Sequence, residues 1–226
     1  MTKGPALRSR RWTLAGVGLA VAGPPALAAV SPEVTGGTAN LVLQVLLHLV
    51  FCGVAGLVLF IMLRHERLSL SSVGLRRPDW STLLTAGLLC VSGLLLQALV
   101  IDPLVALWGR EGVDEGIRQL VALPIWFRLV VGATSGAVEE FLYRGYATER
   151  LGALTGSRGV GAGLATLGFA LAHVPAWGLG FALTADLPFG IVMTAFYLWR
   201  RDLLANMLAH SAGLVFAMST VVPPAV

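Results

Sequence analysis

Residues 41–63 read LVLQVLLHLVFCGVAGLVLFIML, and residues 64–77 read RHERLSLSSVGLRR. The first stretch contains no Asp, Glu, Lys or Arg, and it exceeds the roughly 20 apolar residues that a helix needs to cross a bilayer. The second holds Arg64, Arg67, Arg76 and Arg77. An uncharged run ending in an arginine-rich loop is the pattern of a span that finishes on the cytoplasmic side.

The same alternation continues in both directions. Apolar stretches at about 12–30, 41–63, 82–107, 123–147, 159–176, 178–199 and 203–222 predict seven spans. With the N-terminus inside, the inside segments hold Lys3, Arg8, Arg10 and Arg11; Arg64, Arg67, Arg76 and Arg77; Arg144, Arg150 and Arg158; and Arg200 and Arg201, which is 13 of the 16 basic residues. The outside loops hold Arg110 and Arg118, and Arg128 lies early in the fourth span. The expectation is an all-α, polytopic helical membrane bundle forming one integral membrane domain, with its basic loops cytoplasmic, in the inner membrane of a bacterial cell.

Composition agrees. The chain is 56% hydrophobic and 12% charged, with a mean hydropathy of +0.80, whereas a soluble domain carries roughly a quarter charged residues. The net charge of +4 does not point to nucleic acid, because the basic residues sit in short loops between apolar runs. Cys52 and Cys90 lie inside apolar runs and read as small buried hydrophobes rather than a disulfide or metal pair.

The first span also resembles a signal peptide. It has a basic start, a short apolar stretch and Ala26-Leu27-Ala28-Ala29, and Ser9-Arg10-Arg11 faintly resembles a twin-arginine signal. Pro24-Pro25 is expected to shorten any helix there. A multi-span protein can use its first helix as the signal, so an uncleaved span is expected; cleavage would leave six.

Ionisable residues inside spans are costly, so each is a functional candidate. The set is Glu139, Glu140 and Arg144 in the fourth span, His173 in the fifth and His210 in the seventh; Asp186 and His48 read as isolated. Glu140 and Arg144 are four apart on one helix face, acid first, which is the favourable order, so a charge-assisted, bidentate contact is available to them. Glu139 is rotated about 100° away and is free to face a cavity. The reading is one structural acid and one working acid, sharing a site with the two histidines.

The motifs carry a family resemblance. Glu139-Glu140 with Arg144 resembles the EExxxR motif of the CPBP family, the CAAX prenyl endopeptidase and bacteriocin-processing intramembrane glutamic proteases. Phe169 to His173 resembles its FxxxH motif, and His210 is similar to the histidine of its HxxxN motif. The resemblance covers about residues 123–222, a catalytic helical core, after N-terminal transmembrane helices in 1–122. It implies hydrolysis of a membrane-associated protein or peptide substrate by activated water, with no cofactor. Glu139 would be the general base, His173 would position the water, His210 would polarise the scissile carbonyl, and Arg144 would orient Glu140.

One position departs from the family. Leu214 stands where the HxxxN motif has its asparagine, which the family uses to stabilise the oxyanion; losing such a donor typically costs on the order of 100-fold or more. Asn206, one turn before His210, and Ser211 are the candidate substitutes. Two rival readings stand beside this one. Glu139, His173 and His210 would suit zinc by ligand type, although no HExxH is present. A non-enzymatic scaffold, immunity-type factor or carrier would use the same buried polar cluster. Depth raises a further point. Glu139 and His210 lie about seven or eight residues (roughly 11 Å) from the predicted inner boundary, whereas His173 lies about fourteen (roughly 21 Å) from its own. A late start for the fifth helix, weakened by Gly159, Gly161 and Gly163, is expected to account for the difference.

Overall fold

The computed structural model describes residues 10–35, 40–109 and 113–221. Lys3, Arg8, Ser9, Arg110 and the predicted end of the last span at 222 lie outside the described residues. All regular structure among the described residues is helical: α1 (Arg10–Thr35), α2 (Leu41–Phe60), α3 (Trp80–Leu96), the single turn α4 (Asp102–Leu104), α5 (Val113–Val121), α6 (Ile125–Glu139), α7 (Thr148–Thr155), α8 (Arg158–Ala172), α9 (Val174–Phe181), α10 (Leu187–Arg200) and α11 (Leu203–Thr220). Wider π turns continue several of them, notably Glu140–Ala147 between α6 and α7 and Ala182–Asp186 between α9 and α10.

Among the described residues, five helices are long and apolar enough to cross a membrane: Arg10–Ser31, Leu41–His65, Trp80–Trp108, Val174–Arg200 and Leu203–Thr220. The other two predicted spans take a different form. One is the charged helix running from Ile125 through the π segment to Thr155, and the other is α8, apolar but of 15 residues. The tryptophans mark two belts. Trp12, Trp80 and Trp199 lie at the end that carries the arginine loops, and Trp108, Trp126 and Trp177 at the other. Trp80, Trp199, Trp108 and Trp126 are all exposed, as interfacial aromatics are. The 29 residues from Trp80 to Trp108 rise roughly 43 Å, about the thickness of a bilayer with its interfaces. The chain is therefore a helical integral membrane protein.

Two sequence expectations are corrected. Pro24-Pro25 does not shorten α1, which runs unbroken from Arg10 to Thr35. The two missing N–H groups only deprive the carbonyls one turn earlier, a loss that membrane bundles accommodate. α8 does not start late: it begins at Arg158, with the Ser157 side chain accepting from Val160 N. Of Gly159, Gly161 and Gly163, it is Gly161 that serves packing, since a Cβ there would collide with the Gly152 backbone of α7. The depth discrepancy has another cause. The fourth helix continues past 147 to Thr155, and Gly156, at φ 71°, turns the chain directly into α8. Glu139 and His173 then lie at equal distances along the two arms of this hairpin.

The largest core cluster sits on the arginine side of the bundle. It joins Val58 of α2, Met62 of the π turn that continues α2, Leu142, Tyr143 and Tyr146 of the π segment 140–147, Phe169 of α8, Tyr197 of α10 and Leu203 of α11.

Candidate active site

The site begins at a helix crossing. α6 and α11 approach so closely that a Cβ on Gly136 would lie 2.5 Å from Ser211 N, and one on Gly132 3.1 Å from the Leu214 carbonyl carbon. Small residues at such crossings let backbones meet in a membrane bundle. The crossing sets Glu139 and Glu140, at the end of α6, against His210 of α11. The chain then widens into the π segment Glu140–Ala147, a distortion frequent at functional sites.

Glu140 is fully buried, and both its carboxylate oxygens are engaged. Oε1 accepts from His210 Nδ1 at 2.9 Å and lies 3.1 Å from Arg144 Nη1; Oε2 accepts from Asn206 Nδ2 at 3.1 Å. The Arg144 contact is ionic rather than the expected bidentate hydrogen bond, because none of the guanidinium nitrogens has an aligned acceptor. The guanidinium instead lies over the Phe169 ring, 3.9 Å from its centroid. Phe169 also packs against His173, centroids 4.8 Å apart, and against His210 at 6.2 Å. The aromatic residue of the FxxxH pattern is thus the surface on which the arginine and both histidines rest.

Glu139 is placed differently. It keeps 16% of its side-chain exposure, and its Oε2 lies 3.8 Å from His210 Nε2, too far for a direct hydrogen bond but suited to one bridging water. It lines a cavity of about 340 Å3 together with His173, Tyr143, Ser135 and His48. His173 Nδ1 lies 2.9 Å from the Phe169 carbonyl. A carbonyl only accepts, so Nδ1 carries the hydrogen and Nε2 is left with its lone pair when the ring is neutral. By the same reasoning the Glu140 carboxylate fixes the hydrogen of neutral His210 on Nδ1.

The structure therefore brings Glu139, Glu140, His173, His210, Arg144, Phe169 and Asn206 into one cluster. It does not leave Asn206 or Ser211 free to replace the missing asparagine. Both amide hydrogens of Asn206 are used, one to Glu140 and one to the Met193 carbonyl at 2.9 Å, and Ser211 Oγ donates to the Ala133 carbonyl at 2.7 Å. Leu214 backs onto α6 at Gly132. One buried donor is unengaged beside Glu139: the Tyr143 hydroxyl, for which no partner exists among the described residues.

Two residues set aside as isolated belong here. His48 lines the cavity, its Nε2 2.7 Å from Thr134 Oγ1; that hydroxyl donates to the Val130 carbonyl, so the imidazole is the donor to it. Asp186 lies within electrostatic reach of His173, Glu139, His210 and Arg144, with one carboxylate oxygen buried and unpartnered. An ionisable residue in an apolar run was signal enough to keep both. Cys52 and Cys90 are free thiols. Among the described residues, no group of three or more His, Cys, Asp or Glu side chains is arranged to hold a metal ion.

Comparison with curated proteins and with solved structures gives no match. Comparison with family models does: residues 121–215 match the family described as type II CAAX prenyl endopeptidase Rce1-like. That segment holds α6 to the site-bearing part of α11, so the part of this chain that carries the site is similar to the Rce1-like type II CAAX prenyl endopeptidase family.

Proposed function

We propose that the protein is an intramembrane glutamic endopeptidase that hydrolyses peptide bonds of membrane-associated proteins or peptides, in a bacterial inner membrane with its basic loops cytoplasmic. The observation that carries this reading is the division of labour between adjacent carboxylates. Glu140 is saturated by His210, Asn206 and Arg144, whereas Glu139 alone reaches the cavity. A general base needs an unengaged basic atom within one water of its target.

In this mechanism a water bridges Glu139 Oε2 and His210 Nε2, with the His173 Nε2 lone pair available as a second acceptor. Glu139 takes the water proton as the hydroxyl adds to the scissile carbonyl. The proton passes to the leaving amine as the C–N bond breaks. His210, held by Glu140, carries positive charge when protonated and stabilises the oxyanion electrostatically. The Tyr143 hydroxyl donates to that oxyanion in place of the asparagine absent at Leu214. The N-terminal helices in 1–122 and the core in 123–222 work as one unit, because α1 and α2 supply half of the cavity wall.

The test is cleavage of candidate membrane peptides in proteoliposomes by the wild type and by Glu139→Ala. Cleavage by the wild type alone supports the reading. Equal cleavage by both removes Glu139 from the chemistry. No cleavage by either leaves the non-enzymatic reading, which the substitution at Leu214 favours.

A further inference from the structure

The site is sealed at one end of the bundle and open at the other, and the sealed end is the basic one. Between Glu139 and the arginine loops lie fully buried large side chains: Tyr143, Tyr146, Tyr197, Leu142, Met62 and Leu203. The loops around this plug are tied to one another. Thr13 donates to Glu66, Tyr197 to Glu149 at 2.9 Å, Arg201 to the Ser72 carbonyl at 3.1 Å, and Arg76 to Asp202 at 2.8 Å. Leu203 N adds a backbone bond to the Gly74 carbonyl at 3.0 Å. Opening a path there would break several of these bonds and uncover the core.

The opposite direction is empty. The cavity of about 340 Å3 runs from Glu139 and His173 past Ser135 and His48 to Gln44 and Trp177. Gln44 is in the first turn of α2, and Trp177 in α9 just beyond the end of α8, both at the end of the bundle poor in arginine. Trp177 packs over Gly116 of α5, where a Cβ would run into its ring. α5 is amphipathic: Val113, Ile117, Leu120 and Val121 share one face and Asp114 and Arg118 the other. A short helix of this pattern lies in the plane of a membrane interface, so the cavity mouth sits at that level.

The lining also selects by chemistry. Its walls are mainly Leu47, Phe51, Phe127, Val131 and Trp177, with the uncharged Ser31, Gln44 and Ser135 among its polar groups, and no Lys or Arg of the described residues lines it. Arg144 is no exception, being shut behind Phe169 and paired with Glu140. An acidic side chain or a free terminal carboxylate entering here would lose its hydration and meet Glu139 rather than a counter-charge.

We infer that the substrate reaches Glu139 from the end opposite the basic loops, as an internal, largely apolar peptide segment without acidic side chains, in extended conformation. The extended form follows because a helical segment hides its carbonyls in its own hydrogen bonds, whereas Gln44 and Ser135 offer an unwound one partners. The inference rests on the protease reading for its substrate but not for its route, and the two are tested separately. With Cys52 and Cys90 replaced by Ala, single cysteines are introduced as Gln44→Cys, Ser135→Cys and, as a marker of the basic side, Arg77→Cys. Each is exposed to a membrane-impermeant methanethiosulfonate in vesicles of both orientations. The expected result is that Gln44→Cys and Ser135→Cys react only from the side on which Arg77→Cys does not. Reaction from the Arg77 side, or from neither side, overturns the route. Substrate class is read from peptides that wild-type protein cleaves in proteoliposomes, where an aspartate placed next to the scissile bond is expected to slow cleavage at least tenfold. Equal rates overturn the substrate assignment. If no peptide is cleaved it is the protease reading that fails, and the labelling still decides the route.

Discussion

The guanidinium of Arg144 lies 3.9 Å above the centroid of the Phe169 ring while its Nη1 stands 3.1 Å from Glu140. A cation shared between a carboxylate and an aromatic face, with almost no exposure, depends on both partners. Phe169→Leu keeps most of the apolar volume but removes the quadrupole that holds the cation, a loss of about 2 kcal/mol for a desolvated pair. Arg144→Met leaves the Glu140 charge buried without its counter-ion, which costs about 3–5 kcal/mol. Chemical denaturation of the detergent-solubilised variants should therefore rank Arg144→Met as the more damaging. The reverse order would mean that the ring, not the carboxylate, is the main partner of Arg144.

The adjacent glutamates should separate under the same conservative change. Glu139→Gln keeps its size and can still hydrogen-bond, so thermal melting should stay near that of the wild type. Hydrolysis should fall by at least about 100-fold, because an amide is no base at neutral pH. Glu140→Gln should instead lower the melting temperature, since it leaves Arg144 underpaired and turns an acceptor of His210 and Asn206 into a part-donor. If Glu140→Gln melts like the wild type and Glu139→Gln unfolds, the two roles are reversed.

Tyr143→Phe removes one hydroxyl that has no protein partner, so stability should be unchanged or slightly higher. Loss of an oxyanion donor should lower kcat by roughly 100-fold with little change in KM. Leu214→Asn, which restores the donor of the family pattern, should recover part of the Tyr143→Phe loss. A Tyr143→Phe enzyme with full kcat would remove the tyrosine from the chemistry.

The α6–α11 crossing gives a steric prediction. Gly136→Ala places a Cβ 2.5 Å from the Ser211 backbone, which only helix separation can relieve, so it should cost about 1–3 kcal/mol and move Glu139 away from His210. Gly163→Ala, with nothing within 4 Å of the new atom, should be neutral or stabilising by up to about 1 kcal/mol. Melting and cleavage rates of the pair, measured together, separate crowding at the crossing from a general intolerance of alanine.

On the arginine side, Asp202 supplies a pH prediction. Burial pushes its carboxyl up, but hydrogen bonds from Arg76 and Thr82 and from the Ala205 backbone outweigh that and hold it below the usual carboxylate range. A lowered folded-state value means that the ionised form stabilises at neutral pH and that this contribution fades as pH falls below the ordinary carboxylate value and through the depressed one. Asp202→Asn retains the helix cap but not the charge. It should therefore cost about 1 kcal/mol at pH 7, the low end because Arg76 is partly exposed, and progressively less as pH falls through the depressed value. A penalty independent of pH would assign the effect to the cap alone.

Much of this protein was legible in its sequence because the signals are local. Twenty or so apolar residues in a row, as in 41–63, have one stable environment, the interior of a bilayer. The pairing of Glu140 with Arg144 is likewise set by helical spacing, which holds through the π segment. What sequence could not decide depends on how helices meet. His48 is 91 residues from Glu139 along the chain, and it reaches the cavity only because α2 packs beside α6. Asn206 and Ser211 carry suitable donors, but Glu140 and the Met193 carbonyl take the amide and the Ala133 carbonyl takes the hydroxyl. Hydrophobic periodicity states that a helix buries a face, not which neighbour it buries it against. That choice belongs to packing between distant segments, and here packing places Glu139 in an open cavity and Glu140 in a closed core.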